Sequence, residues 1–308
     1  MEHFRSLSEA HLTRPSVVTI GVFDGVHRGH QYLIRKLVEE AHTSNRNSVV
    51  ITFYPHPDVV LRGITGRYYL TTPEERASLF GALGVDYVIT LTFDDVLRQI
   101  RAADFTDQML SSLNLDSLWV GSDFAMGFKR EGNVEFLQAQ GASKGFSVHV
   151  IDMLLDEGGK ISSTTIRQAL EKGEVDAAKE QLGRSYSVTG EVIHGQKRGR
   201  TIGFPTANIE VDDSLIIPAN GVYAGWATWE DQRYKAVTNV GIRPTFEGQA
   251  QTVEAYLLDF SGDLYGKYLT FTFEDYLRPE MKFDGIQSLI AQIQADVERG
   301  REVLSEPR

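Results

Sequence analysis

The chain has 308 residues, of which 42% are hydrophobic and 24% are charged, as expected of a globular protein with one large domain or two ordinary ones. Its net charge of −11 argues against broad binding to nucleic acid or an anionic membrane, and the absence of cysteine excludes disulfides and thiolate metal sites. No secretory pattern and no long apolar run is present, so we predict a cytoplasmic location.

The first half of the chain alternates strand patterns with helix patterns. Strands are predicted at 15–21, 48–53, 86–93, 115–121 and 145–151, and a helix is predicted at 30–41. Thr72, Pro73 and Glu75 have the spacing of a capping box with proline at the first helical position. Strands that alternate with helices predict a Rossmann-like α/β domain, in which a parallel sheet is covered on both faces.

The stretch GVFDGVHRGH, which begins at Gly21, joins the first predicted strand to a helix beginning near residue 30. Gly21, Gly25 and Gly29 let backbone N–H groups approach a ligand, and the helix N-terminus adds partial positive charge, which suits a phosphate. His27 and His30 could bind zinc, or they could donate hydrogen bonds to a phosphate during group transfer. No third metal ligand is evident nearby, which favours phosphate. A glycine turn carrying two surface histidines also fits the pattern.

A second polar segment, ISSTTIR, places hydroxyl groups at the start of a predicted helix. A helix cap needs only one hydroxyl. This segment offers Ser162, Ser163, Thr164 and Thr165, and Arg167 follows one turn later. Hydroxyls, helix-end N–H groups and a guanidinium together suit a polyphosphate. Two such segments in one α/β domain therefore predict a nucleotide site.

After about residue 183 the pattern changes to closely spaced strands, among them 252–260 and 268–277, with no helices between them. This pattern predicts a small antiparallel barrel. A final helix follows, with one apolar face formed by Leu289, Ile290, Ile293 and Val297. We therefore predict two domains, 1–183 and 184–308, with a helical pattern at 169–184 as the bridge.

The loop HGQKRGRTIGFPTAN at 194–208 is basic and rich in glycine, and its last residues include Thr206 and Asn208. Threonine hydroxyl and asparagine carbonyl oxygens are hard ligands that Mg²⁺ accepts, with water and ATP phosphates completing the shell. Taken alone, the same two residues fit a simple turn cap equally well.

In their order along the chain, these motifs resemble the bacterial bifunctional riboflavin kinase/FAD synthetases. The N-terminal half has GxFDGxHxGH, TFYPHP, VGSDFAMG and ISSTxIR, and the C-terminal half has PTAN, GVYA, NVGIRPTF, VEAYLLDF, LYGK and LRPEMKF. The resemblance covers about residues 14 to 300. It implies an N-terminal FMN adenylyltransferase and a C-terminal riboflavin kinase built on a six-stranded Greek-key barrel. Riboflavin, FMN and ATP are the implied small-molecule partners, and Mg²⁺ is the implied cofactor.

The resemblance also implies residue roles. It favours Glu254 as the general base for the flavin hydroxyl over a solvent-facing strand glutamate. It implies that His27, His30 and Arg167 stabilise the reacting phosphates, and that Thr206 and Asn208 bind Mg²⁺. The implied ligand-binding residues of the N-terminal half are Gly21, Phe23, Asp24, Gly25, Gly29, His56, Asp123, Ser162, Ser163 and Thr164. Those of the C-terminal half are Gly199, Arg200, Gly203, Pro205, Arg243 and Arg278.

Two alternatives stay open at this point. Tyr54 stands where the family usually has an acidic residue, and Ala125 and Met126 depart from the usual D-F-x-F-G pattern. These departures are consistent with a riboflavin kinase whose adenylyltransferase half is impaired. The second alternative is a catalytically silent flavin- or nucleotide-binding regulator. The presence of both phosphate-binding segments and a candidate base argues against it.

Overall fold

The computed structural model describes residues 1–151, 155–156, 159–195, 198–245 and 248–305. The chain packs as two compact units. The first comprises Met1–Thr65 with Leu70–Ser163, and the second comprises Gly66–Tyr69 with Thr164–Arg308. None of the helices within the described ranges is both long and apolar enough to cross a membrane.

The first unit is built on a parallel sheet. Its strands and hairpins in chain order are β1 (Glu2–Phe4), β2 (Ser16–Ile20), β3 (Asn47–Tyr54), β4 (Tyr87–Thr92), β5 (Leu115–Gly121), β6 (Ala125–Met126), β7 (Gly132–Asn133), β8 (Ser147–Ile151), β9 (Leu155–Asp156) and β10 (Gly159–Lys160). Six of them form one sheet in the order β1-β4-β3-β2-β5-β8, and every neighbouring pair is parallel. The predicted Rossmann-like sheet is therefore confirmed.

Helices cover both faces of this sheet. They are α1 (Arg28–Thr43), α2 (Pro57–Arg62), α3 (Pro73–Ala82), α4 (Ala102–Leu113) and α5 (Val134–Lys144). Val50 and Val88 pack with residues of α1 and α3 on one face, whereas Val49 and Ile51 pack with α4 on the other. Because successive strand residues point to opposite faces, the continuous apolar runs of the sequence fill two separate cores.

The predicted capping box starts α3. The Thr72 hydroxyl accepts the Glu75 N–H at 3.1 Å, and the Glu75 carboxylate accepts the Thr72 N–H at 2.9 Å. The helical pattern at 169–184 forms parts of two helices, α6 (Ser163–Glu171) and α7 (Val175–Leu182). Gly173 separates them in a left-handed conformation with φ 79°, which glycine adopts without steric cost.

The second unit is a closed antiparallel barrel. Its elements in chain order are β11 (Ser187–Ile193), α8 (Arg198–Thr201), β12 (Ala207–Val211), β13 (Gly221–Trp229), β14 (Gln232–Thr245), β15 (Gly248–Leu257), β16 (Tyr268–Arg278) and α9 (Ile286–Val303). The barrel order is β11-β12-β15-β14-β13-β16. The predicted six-stranded barrel with a terminal helix is confirmed. Val303 at the end of α9 packs against Ala224 of β13.

Strands β11 and β12 of the barrel approach each other closely at Gly190. A Cβ atom there would lie 2.1 Å from the backbone oxygen of Glu210 on β12, so Gly190→Ala is expected to destabilise the unit by about 2–3 kcal/mol. Denaturant unfolding followed by circular dichroism measures the loss. The control is Gly81→Ala near the end of α3, where a Cβ meets only the Met1 side chain at 3.4 Å and helix propensity favours alanine. Equal stability of the two variants would contradict this account.

Candidate active sites

The loop between β2 and α1 has an unusual backbone. Phe23, Gly25 and Val26 have φ values of 52°, 80° and 41°. The left-handed region is costly for any residue with a Cβ, and most of all for a β-branched one such as valine. Such strain costs about 1–3 kcal/mol per residue and persists only where surrounding contacts enforce it, which is common at functional sites.

Buried hydrogen bonds enforce this loop. Asp24 is a buried residue, and its carboxylate accepts the N–H groups of Leu70 and Thr71 at 3.0 and 3.2 Å. The N–H of Gly25 donates to the Thr71 hydroxyl, and the Ser163 hydroxyl donates to the Asp24 carbonyl at 2.8 Å. Asp24 and Ser163 are therefore engaged in holding the loop, and their predicted contacts with a nucleotide stay predictions.

Gly21 has a steric role in the same loop. A Cβ at this position would lie 2.7 Å from the Phe23 ring, so only glycine leaves room for that ring. The ring contacts His30 edge to face, with the centroids 5.1 Å apart, and contacts Phe80 of α3 in the same way. Phe23 is consequently part of the support beneath the second histidine.

The two histidines lie against each other at the start of α1. Their rings stack with centroids 3.5 Å apart, and the His27 side chain caps the helix by accepting the His30 N–H at 3.4 Å. The helix thus begins at Arg28, two residues before the predicted start, because His27 acts as its N-cap. Gly29 faces the His27 ring, which is 3.3 Å from where a Cβ would lie.

The surroundings of His30 set its charge state. Burial, followed by the charges of His27 and Arg76, holds the pKa of His30 well below its usual value of 6.5. Its Nδ1 atom is enclosed and has no hydrogen-bond partner. In the described part of the chain, no three His, Asp or Glu side chains are grouped as a metal site would require. A neutral His30 can donate or accept one hydrogen bond at each ring nitrogen, depending on its tautomer.

A cleft of about 780 Å³ opens in the first unit beyond the ends of β2 and β3. Three predicted ligand-binding residues line it, namely Gly21, His56 and Asp123. The other lining residues include five phenylalanines and three basic side chains: Phe53, Phe93, Phe105, Phe124, Phe128, Arg98, Lys129 and Arg130. Ligands of open parallel sheets bind at this carboxyl edge. The lining suits a flat aromatic ligand that carries negative charge.

Local hydrogen bonds fix the predicted residues of this cleft. The His56 ring caps α2 by accepting the Asp58 N–H at 2.9 Å. The backbone carbonyl of Asp123 accepts a hydrogen bond from Arg130 at 3.1 Å. These contacts hold the ends of the loops that follow β3 and β5, and thereby shape the cleft walls.

The hydroxyls of the second polar segment have different surroundings. Ser162 is half-buried and precedes α6, Thr164 is exposed, and Thr165 donates to Gln181 at 2.6 Å. In the second unit, the Arg167 guanidinium is 7% exposed and donates from Nε to the carbonyl of Tyr68 at 2.8 Å. The same group lies over the Tyr68 ring, 4.0 Å from its centroid. Tyr68 therefore fixes the direction of Arg167.

In the barrel, the strand register places Asn208 directly beside Glu254. The two residues pair across β12 and β15, and Glu254 pairs with Asn239 across β15 and β14. Val253 and Ala255 are buried and Glu254 is half-buried on the opposite face, as the alternation predicts. Since directly opposed residues point to the same face, Asn208, Glu254 and Asn239 form a polar row.

The glycine loop before β12 packs against this row. A Cβ at Gly195 would lie within 2.4–2.7 Å of the Asn208 carboxamide, and a Cβ at Gly199 would lie 2.2 Å from the Phe204 carbonyl. Thr206 is half-buried and precedes β12 directly. These close approaches require glycine at both positions, and they hold the Thr206 and Asn208 oxygens at one end of the barrel.

The other predicted residues of the second unit are placed as follows. Pro205 is exposed, and Gly203 is left-handed with φ 90°. Arg200 belongs to α8 and Arg243 to β14, but their side chains lie outside the described part of the chain. Arg278 pairs with Asp296 of α9 through its Nε at 2.8 Å and its Nη2 at 2.7 Å, and Nη1 donates to the Pro279 carbonyl. These contacts direct Arg278 toward the terminal helix.

Comparison with known proteins identifies both units. A family model described as riboflavin kinase matches residues 182–304, and one described as FAD synthetase matches residues 9–165. A bifunctional riboflavin kinase/FMN adenylyltransferase of Listeria monocytogenes is 39% identical over 91% of this chain and 90% of its own. This chain belongs to the bifunctional riboflavin kinase/FMN adenylyltransferase family. The protein of that name from Escherichia coli is 37% identical over 93% of this chain and 92% of its own.

A solved structure shares the architecture of this family member. It is a Streptococcus pneumoniae protein described as a macrolide-efflux protein, and it is 32% identical to this chain. The two match with a TM-score of 0.88 over 97% of this chain and 98% of the other. The arrangement of a parallel-sheet unit and a barrel unit in one chain is therefore also found in a solved relative.

Sequence reasoning missed three parts of these sites. The cleft phenylalanines come from a strand, a helix and separate loops, so no regular spacing links them along the chain. Asn239 belongs to the NVGIRPTF motif, but only the register of β14 with β15 shows that it lies beside Glu254. Arg76 lies on α3 in a charged stretch, where the default expectation for arginine is exposure; in the structure it is 0% exposed.

The low pKa of His30 predicts a pH dependence of stability. Below about pH 6.5 the unfolded chain binds a proton at this residue that the folded chain does not, so the first unit loses stability as pH falls. Above that pH the contribution is complete. His30→Asn is expected to reduce the difference in thermal midpoint between about pH 7.5 and pH 5.5. Calorimetry measures it, with exposed His11→Asn as the control. An unchanged difference would show that His30 does not titrate this way.

Proposed function

We propose that this chain makes FAD in two steps. The barrel unit transfers the γ-phosphoryl group of ATP to riboflavin, giving FMN and ADP. The parallel-sheet unit then transfers the adenylyl group of a second ATP to FMN and releases pyrophosphate. The observation that carries the proposal is the register that sets Glu254 beside Asn208 in the barrel, in a chain whose other half matches FAD synthetase.

The kinase step needs a base, because an alcohol is a poor nucleophile. Glu254 accepts the proton of the riboflavin 5′-hydroxyl while that oxygen forms a bond to the γ-phosphorus, and the bond to the β-phosphate oxygen breaks. Glu254 is half-buried and belongs to the polar row, where its carboxylate can meet a substrate hydroxyl. Asn239 lies on its other side, where its carboxamide can orient the carboxylate or the substrate.

The donor set of the barrel fits Mg²⁺. Thr206 and Asn208 supply a hydroxyl and a carboxamide oxygen, which are hard ligands, and the glycine loop packs closely against Asn208. We propose that these two residues hold the ion. When bound, Mg²⁺ neutralises charge on the transferred phosphoryl group. The residues Gly199, Arg200, Gly203, Pro205, Arg243 and Arg278 are proposed to bind the nucleotide and flavin of this step.

The adenylyl step needs no base. The FMN phosphate is already an anion, and its oxygen forms a bond to the α-phosphorus of ATP while the bond to the β-phosphate oxygen breaks. Catalysis then depends on positioning and on hydrogen bonds to the growing charge. We propose that His27, His30, Ser162, Ser163, Thr164 and Arg167 provide these contacts. A phosphate anion beside His30 would raise the pKa of that residue and favour the protonated, doubly donating ring.

The flavin of the adenylyl step is proposed to bind in the first unit's cleft. An isoalloxazine ring is flat and aromatic, and phenylalanines dominate the cleft wall. His56 and Asp123 supply polar contacts there, and Gly21 brings backbone close to the ligand. Ala125 and Met126, which depart from the family pattern, also line this cleft. These two side chains affect how FMN fits in the cleft. A riboflavin kinase with an impaired adenylyltransferase half is therefore the second candidate function.

The domain division and the location belong to this proposal as well. We assign residues 1–183 to adenylyl transfer and 184–308 to the kinase. The two family matches support a division in this region, since they end at 165 and begin again at 182. We also propose that the protein works in the cytoplasm, with riboflavin, FMN and ATP as its partners.

Separating the two activities by mutation tests the proposal. With riboflavin, ATP and Mg²⁺, a chromatographic time course should show FMN first and FAD later. His27→Ala and His30→Ala are each expected to slow FAD formation by about 10²–10³-fold and to leave FMN formation intact. Glu254→Gln is expected to slow FMN formation by about 10²–10⁴-fold, while FAD is still made from supplied FMN.

The crossed pattern is the control, because each variant keeps one activity in the same chain. A time course that stops at FMN in the unmodified protein would support the impaired-adenylyltransferase candidate. Riboflavin left unchanged, in both its oxidised and its reduced form, would contradict both candidates. Equal loss of both activities in every variant would contradict the assignment of the steps to separate units.

The cleft assignment makes its own prediction. Ala125→Phe fills part of the cleft, so the KM for FMN in the adenylyl step is expected to rise about tenfold, which corresponds to about 1.4 kcal/mol. The KM for riboflavin in the kinase step should not change. Steady-state kinetics of the two half-reactions measure both values. The control is Ala142→Phe on the exposed face of α5. An unchanged KM for FMN would place the flavin elsewhere.

A further inference from the structure

Arg76 of α3 is a fully buried charged side chain in the first unit. Its guanidinium is 0% exposed, as is the carboxylate of Asp24 beside it. The closest approach of these two groups is 3.5 Å, which is long for an ion pair. Burying a charge is costly unless hydrogen bonds compensate it. The role of Arg76 is therefore inferred from its uncharged hydrogen-bond acceptors.

Those partners belong to the edge of the sheet and to the loop. Nη1 donates to the carbonyls of Val22 and Phe53 at 3.0 and 3.2 Å, and to the Thr52 hydroxyl at 3.2 Å. Nη2 donates to the Thr71 carbonyl at 3.4 Å, and Nε to the Thr71 hydroxyl at the same distance. One planar group thus joins the residues after β2, the end of β3 and the segment before α3.

Each of these three segments leads to the candidate site. Val22 and Phe53 line the cleft. Thr71 holds Asp24 and Gly25 in the strained loop that leads to the histidines. Small errors in the position of groups that act on the transition state cost about 10²-fold in rate. Because the Arg76 guanidinium fixes all three segments, it can affect the reaction rate without contacting the substrate.

Stability alone does not explain a buried arginine at this place. Replacing a buried ionic group by a well-packed apolar one of similar volume is often neutral or stabilising. Lysine could supply charge, but it lacks the planar fork that reaches several acceptors in fixed directions. The observed contacts use all three nitrogens of the fork.

We propose that Arg76 is a positioning residue for adenylyl transfer, holding the loop after β2 and the wall of the cleft in the arrangement that the reaction requires. This inference rests on the proposed function of the first unit. It assigns Arg76 no contact with ATP or FMN. Its effect is transmitted through the backbone of Val22, Phe53 and the Asp24 loop.

The test compares two substitutions by steady-state kinetics. Arg76→Lys keeps the charge and removes the fork, and Arg76→Met keeps the volume and removes the charge. Both are expected to lower kcat for FAD formation from FMN by about 10–10²-fold, with the KM values for FMN and ATP changed less than about threefold, because transition-state positioning is lost. Arg62→Lys, an exposed arginine on α2, is the matched control.

Kinase activity in the same molecules and the thermal midpoint separate positioning from folding. The inference stands if Arg76→Lys loses kcat while its riboflavin kinase rate and cooperative unfolding are retained, even where Arg76→Met fails to fold. It is overturned if Arg76→Lys keeps kcat within about twofold, if only KM changes, or if kcat falls only together with cooperative unfolding. Failure of the proposed function appears differently, as no FAD from the unmodified protein.

Discussion

A buried guanidinium and a buried carboxylate determine the shape of the first unit at its carboxyl edge. Arg76 and Asp24 are enclosed together and share Thr71 as a partner. The loop between them contains a left-handed valine, which no local preference would select. That loop keeps its shape because Leu70 and Thr71 form buried hydrogen bonds with Asp24 and Gly25. The histidines at its end inherit their position from this network.

The two units position their proposed functional residues in different ways. In the barrel, the proposed base Glu254 and the proposed metal ligand Asn208 lie side by side, because strand register pairs residues that are far apart in sequence. In the parallel-sheet unit, the proposed reaction needs no base, and the two histidines of the proposed site come from one loop and the helix that follows it. The strained loop brings His27 and His30 into contact, and its shape depends on hydrogen bonds to Asp24 and Gly25 from segments far along the chain.

Much of the fold can be predicted from the sequence, because the hydrophobic residues of the two units follow different patterns. Continuous apolar runs separated by helices specify the parallel sheet, and alternating strands specify the barrel. The start of α1 was misplaced because histidine is not a preferred N-cap, and His27 takes that role here. Arg76 and the cleft phenylalanines could not be found, because burial of a charge and convergence of separate loops are properties of tertiary structure. The histidine pair was identified because its residues are close in sequence.

The electrostatics of the loop bear on what the histidines bind. A metal ion needs neutral or anionic ligands in an environment that tolerates added positive charge. Burial lowers the pKa of His30 most, followed by the charges of His27 and Arg76, and the same surroundings disfavour a cation beside the ring. An anion at the histidines is attracted by the N-terminus of α1. These electrostatic conditions support the proposal that the histidines contact phosphate rather than zinc.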